Sequence, residues 1–465
     1  MNEATTGDPK LTVQPGGMIP PGPRDLSPFG SMGAMMRDST TFLCDMARLY
    51  GDVVKYRIAH MTWYQVNHPD GIHRILQENN RNYWKGELTL RVLKPIAGNG
   101  LFTNEGESWL RQRRLMQPTF HRQHVAAFGG MMARTTLDMC DHWEEAARAG
   151  TPLDVMTEMA GLTSRIATLA LFGTCVAVEA NAVGRAITVL LEDVSYRFQM
   201  PFYPPPSIPT PRNRRYHTAL HTLDETIYEI INRRKQQDSG GDLLSLLMQA
   251  RDEETGEAMS DKQLRDEVIT LFVAGYETTA VAMAWTWYLL SRHPDVEQRL
   301  HAELGEVLGG RAPAVADLPN LPYTLMVIEE AMRLYPPAWI TNREALADDE
   351  IRGYRIPAKA VVVISPYVMH HHPAYWEDPE RFDPERFSPQ RSTSRPHYAY
   401  FPFGGGPRQC IGKFFALMEA QLILATLAQR YRLRLLPGHD VVAQAVLTLR
   451  PLNGLPMIFE AREAA

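Results

Sequence analysis

The run Phe401-Pro402-Phe403-Gly404-Gly405-Gly406-Pro407-Arg408-Gln409-Cys410-Ile411-Gly412 puts one cysteine in a glycine-rich loop. An apolar, helix-like run from Ile411 to Tyr431 follows it. A thiolate there meets the unpaired N–H groups of a helix start and the positive end of its dipole. Gly404 to Gly406 carry no side chains, so the backbone can bend sharply and approach a flat cofactor. Arg408 is always charged and forks onto carboxylates. A lone cysteine beside a turn is more often a small core hydrophobe, so its company decides the reading.

Three further groupings carry chemistry. Trp109 and Arg113 are four residues apart and share a helix face. There an indole N–H and a guanidinium can donate to one carboxylate. Ala274-Gly275-Tyr276-Glu277-Thr278-Thr279 lies in the middle of a long apolar run. Glycine and paired threonines are poor mid-helix choices, and such local rule-breaking often marks function. Glu330 and Arg333 are three apart and pair on one face, which is ordinarily a surface salt bridge of little worth. His370-His371-His372 invites a metal reading, but neighbouring side chains in an extended segment point to opposite faces. We expect no metal there.

In this order and spacing the motifs resemble those of the cytochrome P450 family. F-x-x-G-x-R-x-C-x-G is met at Phe403, Gly406, Arg408, Cys410 and Gly412, and W-x-x-x-R at Trp109 and Arg113. A-G-x-E-T-T is met at Ala274 to Thr279, and E-x-x-R at Glu330 and Arg333, with Pro384-Glu385-Arg386-Phe387 later in the chain. The resemblance covers roughly residues 20–460. It implies a mainly α fold with a small β-rich lobe, the family's triangular prism, holding haem b. Cys410 would be the metal ligand, a thiolate that pushes electron density onto iron and favours O–O cleavage. Trp109, Arg113, Arg343 and Arg408 would hold the propionates, with Phe403 and Gly412 in the cofactor loop.

By the same resemblance Glu277 and Thr278 would be catalytic. Thr278 would hold a water and Glu277 would relay protons from solvent. Thr279, about 100° further round the helix, is given no direct role. Glu330, Arg333 and Arg386 would form one buried structural network. Phe102, Phe272, Ala274, Ala338 and Ile340 are candidates for an apolar substrate pocket. The reaction implied is monooxygenation. Two electrons and two protons split dioxygen, one oxygen enters an apolar small molecule as a hydroxyl or epoxide, and the other leaves as water. Fatty acids, terpenoids, steroids and polyketides suit such a pocket alike. The alternatives are a peroxygenase, a haem isomerase or dehydratase that uses no dioxygen, and a non-catalytic haem sensor. The intact Glu277-Thr278 pair speaks against them.

The 465 residues include 48 Lys and Arg against 53 Asp and Glu, a net charge of −5. That balance argues against a nucleic-acid partner. Cys44, Cys140, Cys175 and Cys410 are scattered, without zinc spacing or a disulfide framework. The first three read as core thiols in a cytoplasmic protein. Residues 1–23 are polar and rich in Pro and Gly, a flexible segment ahead of a single haem domain over 24–465. They hold no run of ~20 apolar residues that could span a bilayer. With its hinge-like Pro20-Pro21-Gly22-Pro23, the chain is similar to soluble, bacterial-type members. It ends about fifty residues after Cys410, with no flavin or iron–sulfur module. A monomer is therefore expected to take electrons from a separate ferredoxin or flavodoxin type partner, steered to Arg111, Arg114 and Lys413.

Several elements must position these groups. Residues 38–50 read as a helix with Phe42, Leu43, Met46 and Leu49 on one face. Val53 to Ile58 and Thr62 to Val66 read as a hairpin turning at Ala59-His60-Met61, and Pro69 to Glu78 as a short helix. Residues 79–104 read as irregular, broken by Gly86, Pro95, Gly98 and Gly100. Helical patterns run from Val125 to Ala149 and from Met156 to Phe172. Six prolines between 201 and 211 then bar a helix, at the family's lid position, before one resumes over Arg212 to Lys235. Ser260 and Gln263 form a capping box. It opens a helix of ~33 residues, about 50 Å long, which Pro294 stops. Tyr323 to Leu334 is another helix, ended by Pro336-Pro337. Residues 432–436 and 445–459 read as strands, with Asn453-Gly454 as a hairpin turn.

Overall fold

The computed structural model describes residues 13–14, 17–24, 27–173, 177–200, 203–236, 240–252 and 254–462. Cys175 lies outside the described residues. The chain forms two compact units. The first comprises residues 1–86, 340–379 and 396–409; the second comprises 87–339, 380–395 and 410–465.

In the first unit, helix α1 (Ser39–Tyr50) starts at Asp38, whose carboxylate accepts the Thr41 N–H at 3.0 Å. It buries Phe42, Leu43, Met46 and Ala47. Leu49, expected on that face, lies in the last turn before Gly51 and is exposed. Strands β1 (Val53–Ile58) and β2 (Met61–Val66) form the expected hairpin, with Ala59 in the left-handed region at φ +52°. β3 (Tyr83–Trp84), β4 (Thr341–Ala345) and β5 (Val361–Ile364) complete a five-stranded sheet in the order β1-β2-β5-β4-β3. β5 runs parallel to β2 and antiparallel to β4, with Val362 facing both Tyr64 and Arg343 in register. The apolar core gathers Val53, Val66, Ile72, Ile364, Tyr398 and Phe401. Part of the N-terminal segment expected to be flexible is ordered at an edge. Gly17–Met18 is a strand, and the Met18 N–H donates to the Gly353 carbonyl at 2.8 Å. A Pro/Gly-rich stretch makes a poor helix, but its remaining backbone groups still pair at a sheet edge.

The second unit is helical. α2 (Glu87–Ala97) forms where irregular chain was expected. Gly86 and Gly98, at φ +79° and +56°, flank it, and Pro95 falls in its final turn, where a lost N–H breaks little of the ladder. α3 (Gly106–Met116) carries Trp109 and Arg113. α4 (Gly129–Ala149) begins later than expected. A Cβ on Gly129 would lie 2.0 Å from the Val315 side chain. α5 (Val155–Phe172) is capped by Asp154. α6 (Ala177–Gln199) and α7 (Pro211–Lys235) pack together on either side of the proline-rich segment. Asn213 clips its described part, donating to the carbonyls of Pro205 and Ile208 at 2.8 Å each.

α8 (Asp261–Arg292) is the axis of this unit. The Ser260 hydroxyl accepts the Gln263 N–H at 3.3 Å, which is the N-cap half of the expected capping box. By length and composition α8 could cross a bilayer, but most of it is buried and packs against α5. Side chains such as Ile269, Phe272, Trp285 and Leu290 are 0–1% exposed, and each contributes about 1.5–3 kcal/mol by leaving water. α9 (Pro322–Leu334) and α10 (Lys413–Ala428) pack on it. β6 (Tyr431–Leu435), β7 (Ala443–Ala445), β8 (Leu449–Pro451) and β9 (Pro456–Ala461) close the chain. The hairpin expected at Asn453-Gly454 is not one. β8 pairs with β7, while β9 pairs with β6 and with Leu153–Asp154. Gly454 instead allows a close approach: at φ +71°, its Cβ would stand 2.9 Å from the Asp154 carboxylate, which accepts the Leu455 N–H at 2.6 Å.

Candidate active site

Cys410 lies three residues before α10, whose N-cap is Gly412 and has no side-chain cap. The thiol is deeply surrounded yet reaches solvent. Burial pushes its pKa up, while the Gly412 N–H and the charges of Arg113 and Lys413 pull it down. At Cys140, inside α4, burial dominates, with Arg430 opposing it and Asp141 and Glu144 adding to it: its thiol donates to the Thr136 carbonyl at 3.6 Å and is pushed up to about 11. Only the first environment suits a thiolate ligand. Cys44 is half-buried in α1.

On α3, Trp109 is buried and Arg113 is half-buried. Burial lowers the Arg113 pKa and the neighbouring Cys410 opposes it, so helix and thiol are electrostatically coupled. Arg111 and Arg114 do not form the basic patch expected of them. Arg111 pairs with Glu257 at 3.0 Å and stands 3.7 Å from Asp252; Arg114 pairs with Glu254 at 2.5 Å and is also 3.7 Å from Asp252. Both cations hold acidic side chains at Asp252, Glu254 and Glu257. Lys413 is exposed.

The unit boundary falls between Gln409 and Cys410, so Phe403, Arg408 and Arg343 belong to the first unit. Arg343, on β4, donates to the Thr341 hydroxyl at 2.9 Å and to the Asn342 carbonyl at 2.7 Å. Arg408 ends a single 3-10 turn, and Phe403 is half-buried. The glycines divide their work in a way the motif does not show. A Cβ on Gly405 would lie 2.4 Å from the Tyr398 ring, and one on Gly406 would lie 1.9 Å from the Leu76 carbonyl. Both serve packing within the protein. Gly404, at φ +67°, faces open space. His370 anchors the start of the loop, its Nε2 accepting the Phe401 N–H at 3.1 Å. His371 Nδ1 is 2.8 Å from the Tyr367 carbonyl. Among the described residues no group of three or more His, Cys, Asp or Glu could hold a metal ion.

The middle of α8 opens where the rest of the helix is closed. Ala274 is exposed and Thr278 half-buried, and nothing lies within 4 Å of where a Gly275 Cβ would be. The Thr278 hydroxyl donates to the Ala274 carbonyl at 2.7 Å, and Thr279 donates to Gly275 at 3.2 Å. Glu277 accepts the Thr448 hydroxyl at 2.9 Å. Burial pushes its carboxyl up, with Thr448 and Arg450 opposing. Glu419 on α10, missed in the sequence, is buried and bonded to Thr279; burial pushes it up to about 8. Of the pocket candidates, Phe102 and Ala338 are exposed and Ile340 is half-buried. Phe272 is 1% exposed, its ring 5.5 Å from that of Tyr276.

Glu330 and Arg333 form a fully buried fork, with contacts of 2.7 and 2.8 Å. Glu330 also accepts the Asp383 N–H at 2.9 Å and lies 3.4 Å from Arg386. Arg333 reaches the Arg381 carbonyl at 3.0 Å. This is the buried network expected, and it ties α9 to the 381–386 segment.

A family model described as Cytochrome P450 matches residues 20–452. The chain belongs to the cytochrome P450 family. It is 40% identical over 450 residues to cyclooctatin synthase of Streptomyces melanosporofaciens, covering 96% of this chain and 95% of that protein. It is 37% identical to cyclooctat-9-en-7-ol 5-monooxygenase of the same organism, covering 93% of each. The crystal structure of the cytochrome P450DA heme domain matches with a TM-score of 0.87 at 26% identity, over 96% of this chain and 99% of that one. This P450 is thus a haem monooxygenase, whose family chemistry requires dioxygen, a substrate and a redox partner. Its residues fit the haem. An enclosed thiol keeps an open face, the cation coupled to it sits on the helix of Trp109, and α8 leaves space beside Gly275.

Proposed function

We propose that this P450 hydroxylates or epoxidises an apolar cyclic terpenoid in the cytoplasm, using haem b and electrons from a ferredoxin or flavodoxin type partner. One observation carries the substrate class. A relative matched over 93% of both chains is named for the 5-monooxygenation of a cyclic alkenol, cyclooctat-9-en-7-ol. Exposed apolar side chains at Phe102, Ala274 and Ala338 are in keeping with such a substrate. Residues 24–465 act as one haem domain, in a monomer.

Bound haem supplies the redox chemistry that cleaves dioxygen and delivers one oxygen to substrate. Cys410 holds the iron as a thiolate, favoured against burial by the Gly412 N–H, Arg113 and Lys413. Trp109, Arg113, Arg343 and Arg408 donate to the propionates, each charge-assisted bond contributing about 1.5–3 kcal/mol. The Thr278 hydroxyl donates a hydrogen bond to the Ala274 carbonyl. Its lone pairs remain as acceptors, and they hold a water beside the open stretch of α8. Glu277, with its pKa raised, takes up protons and passes them inward. Phe102, Ala274, Ala338, Ile340 and Phe272 shape the apolar pocket, the last by supporting Tyr276.

The test is a panel of cyclic terpenes, fatty acids and steroids, read by the low- to high-spin shift of the Soret band. Hits are then turned over with a ferredoxin system. Cyclic terpenoids should give the shift and an oxygenated product; a response confined to fatty acids would refute the substrate class.

A further inference from the structure

We propose that Asp266 and Glu267 of α8 form a latch on the loop between α2 and α3, and that through it they position Phe102 and α3 and so set substrate specificity. Two consecutive carboxylates grip alternate amides of the loop. Asp266 accepts the Asn99 N–H at 2.8 Å, and Glu267 accepts the Leu101 N–H at 2.8 Å. The grip requires bare backbone. A Cβ on Gly98 would lie 2.1 Å from the Asp266 carboxylate, and one on Gly100 would lie 2.1 Å from the Thr270 hydroxyl and 2.6 Å from the Asp266 carbonyl. Thr270 is itself held, donating to that carbonyl at 2.8 Å.

The latch continues into α3. Gln112 donates to the Asn99 carbonyl at 2.8 Å and accepts from Asn104 at 2.5 Å, while the Thr103 hydroxyl closes on the Gly98 carbonyl at 2.8 Å. Asp266, Glu267, Thr103 and Gln112 are all 0–2% exposed. Phe102, in the centre of this clamp, is 49% exposed. With the backbone pinned on both sides of Phe102, the point and direction from which its side chain leaves the chain are set by the pins. α3 bears Trp109 and Arg113, so the same bonds hold that helix in register with the helix of Glu277 and Thr278.

The two acids differ in kind. Asp266 is paired with Arg265 and Lys262 at 2.8 and 2.9 Å. Glu267 has no counter-ion among the described residues, and its Oε1 is buried without a hydrogen-bond partner there. Burial pushes it up to about 8, so near neutral pH it grips Leu101 mainly as an uncharged acceptor. A glutamine amide offers the same carbonyl oxygen. A leucine fills the space and offers none.

The latch rests on the family site, not on which terpenoid is bound, so its test needs no substrate. Haem-loaded wild type, Glu267→Leu and Glu267→Gln are compared by amide hydrogen exchange over 99–104 and by Soret titration with imidazole and 4-phenylimidazole. In Glu267→Leu the Leu101 amide should exchange about tenfold faster, the value of one net hydrogen bond. The dissociation constant for 4-phenylimidazole should change about fivefold while that for imidazole stays within about twofold. Glu267→Gln should match wild type in all three readings. Gly100→Ala, which forces the loop off Thr270, should reproduce the leucine pattern and serves if that variant does not fold. Unchanged exchange in Glu267→Leu, faster exchange with both azole constants unchanged, or Glu267→Gln behaving as leucine does would each overturn the proposal. Failure of every cyclic terpene in the substrate panel would count against the substrate class and leave these readings intact.

Discussion

Glu277 on α8 and Glu330 on α9 are both glutamates on helices, and opposite tasks are proposed for them. Burial pushes both carboxyls up. Around Glu330 the Arg333 fork, the Asp383 N–H and Arg386 oppose that push and leave it immobile. Around Glu277 the direct partner is one neutral hydroxyl, from Thr448, with Arg450 acting through its charge. A carboxylate saturated with charged donors is a staple. One held by a single hydroxyl can exchange its proton. On the proposed roles, partner number and charge, more than burial, separate architecture from chemistry here.

The comparison breaks first at the staple. Glu330→Ala leaves Arg333 buried without its carboxylate, which should cost about 3–5 kcal/mol. Thermal unfolding of the haem-loaded protein would show it, and an unchanged midpoint would remove the contrast. The next effect falls on cofactor retention. Arg113→Ala should weaken haem binding by about tenfold or more, the loss of one charge-assisted bond, as measured by haem transfer to apomyoglobin.

Thr278→Ala and Glu277→Gln should leave the melting point almost unmoved, because neither anchors a charged network. Product per NADPH should fall and hydrogen peroxide should rise to match. Thr279→Ala serves as the control for a general helix flaw, and equal coupling in all three variants would return Glu277 to a structural role. The smallest effect concerns pH. Glu419, with its native pKa raised to about 8 from an ordinary value of 4.5, binds more protons folded than unfolded between those values. Its stabilising contribution is complete below pH about 4.5 and is lost as pH rises through about 8. Chemical denaturation of Glu419→Gln across that range should show a flatter decline than wild type.

What the sequence made legible was local. The Cys410 loop, the Ser260 cap and the Ala274–Thr279 flaw are fixed-spacing patterns whose physics operates within a turn or two, and the structure places each where the spacing requires. Contacts between distant parts of the chain were not legible. Arg111 and Arg114 look like a solvated basic face until Asp252, Glu254 and Glu257, some 140 positions away, are folded onto them. Gly98 and Gly100 look like breakers, yet they are the bare backbone that α8 grips. Asn453-Gly454 has the composition of a hairpin turn, but strand pairing is decided by partners from elsewhere in the chain. Pro95 reads as a breaker in the sequence because its place in the last turn of α2 cannot be known without the helix itself.

Cys410 is proposed to act as an iron thiolate in a way that Cys140 cannot. The most direct measurement is the absorption spectrum of the reduced carbon monoxide complex. Wild type and Cys140→Ala should both show the red-shifted Soret band of thiolate ligation, and Cys410→His should lose it even where haem is retained. A wild-type protein with a histidine-type carbonyl spectrum, or a Cys410→His variant that keeps the red-shifted band, would contradict it.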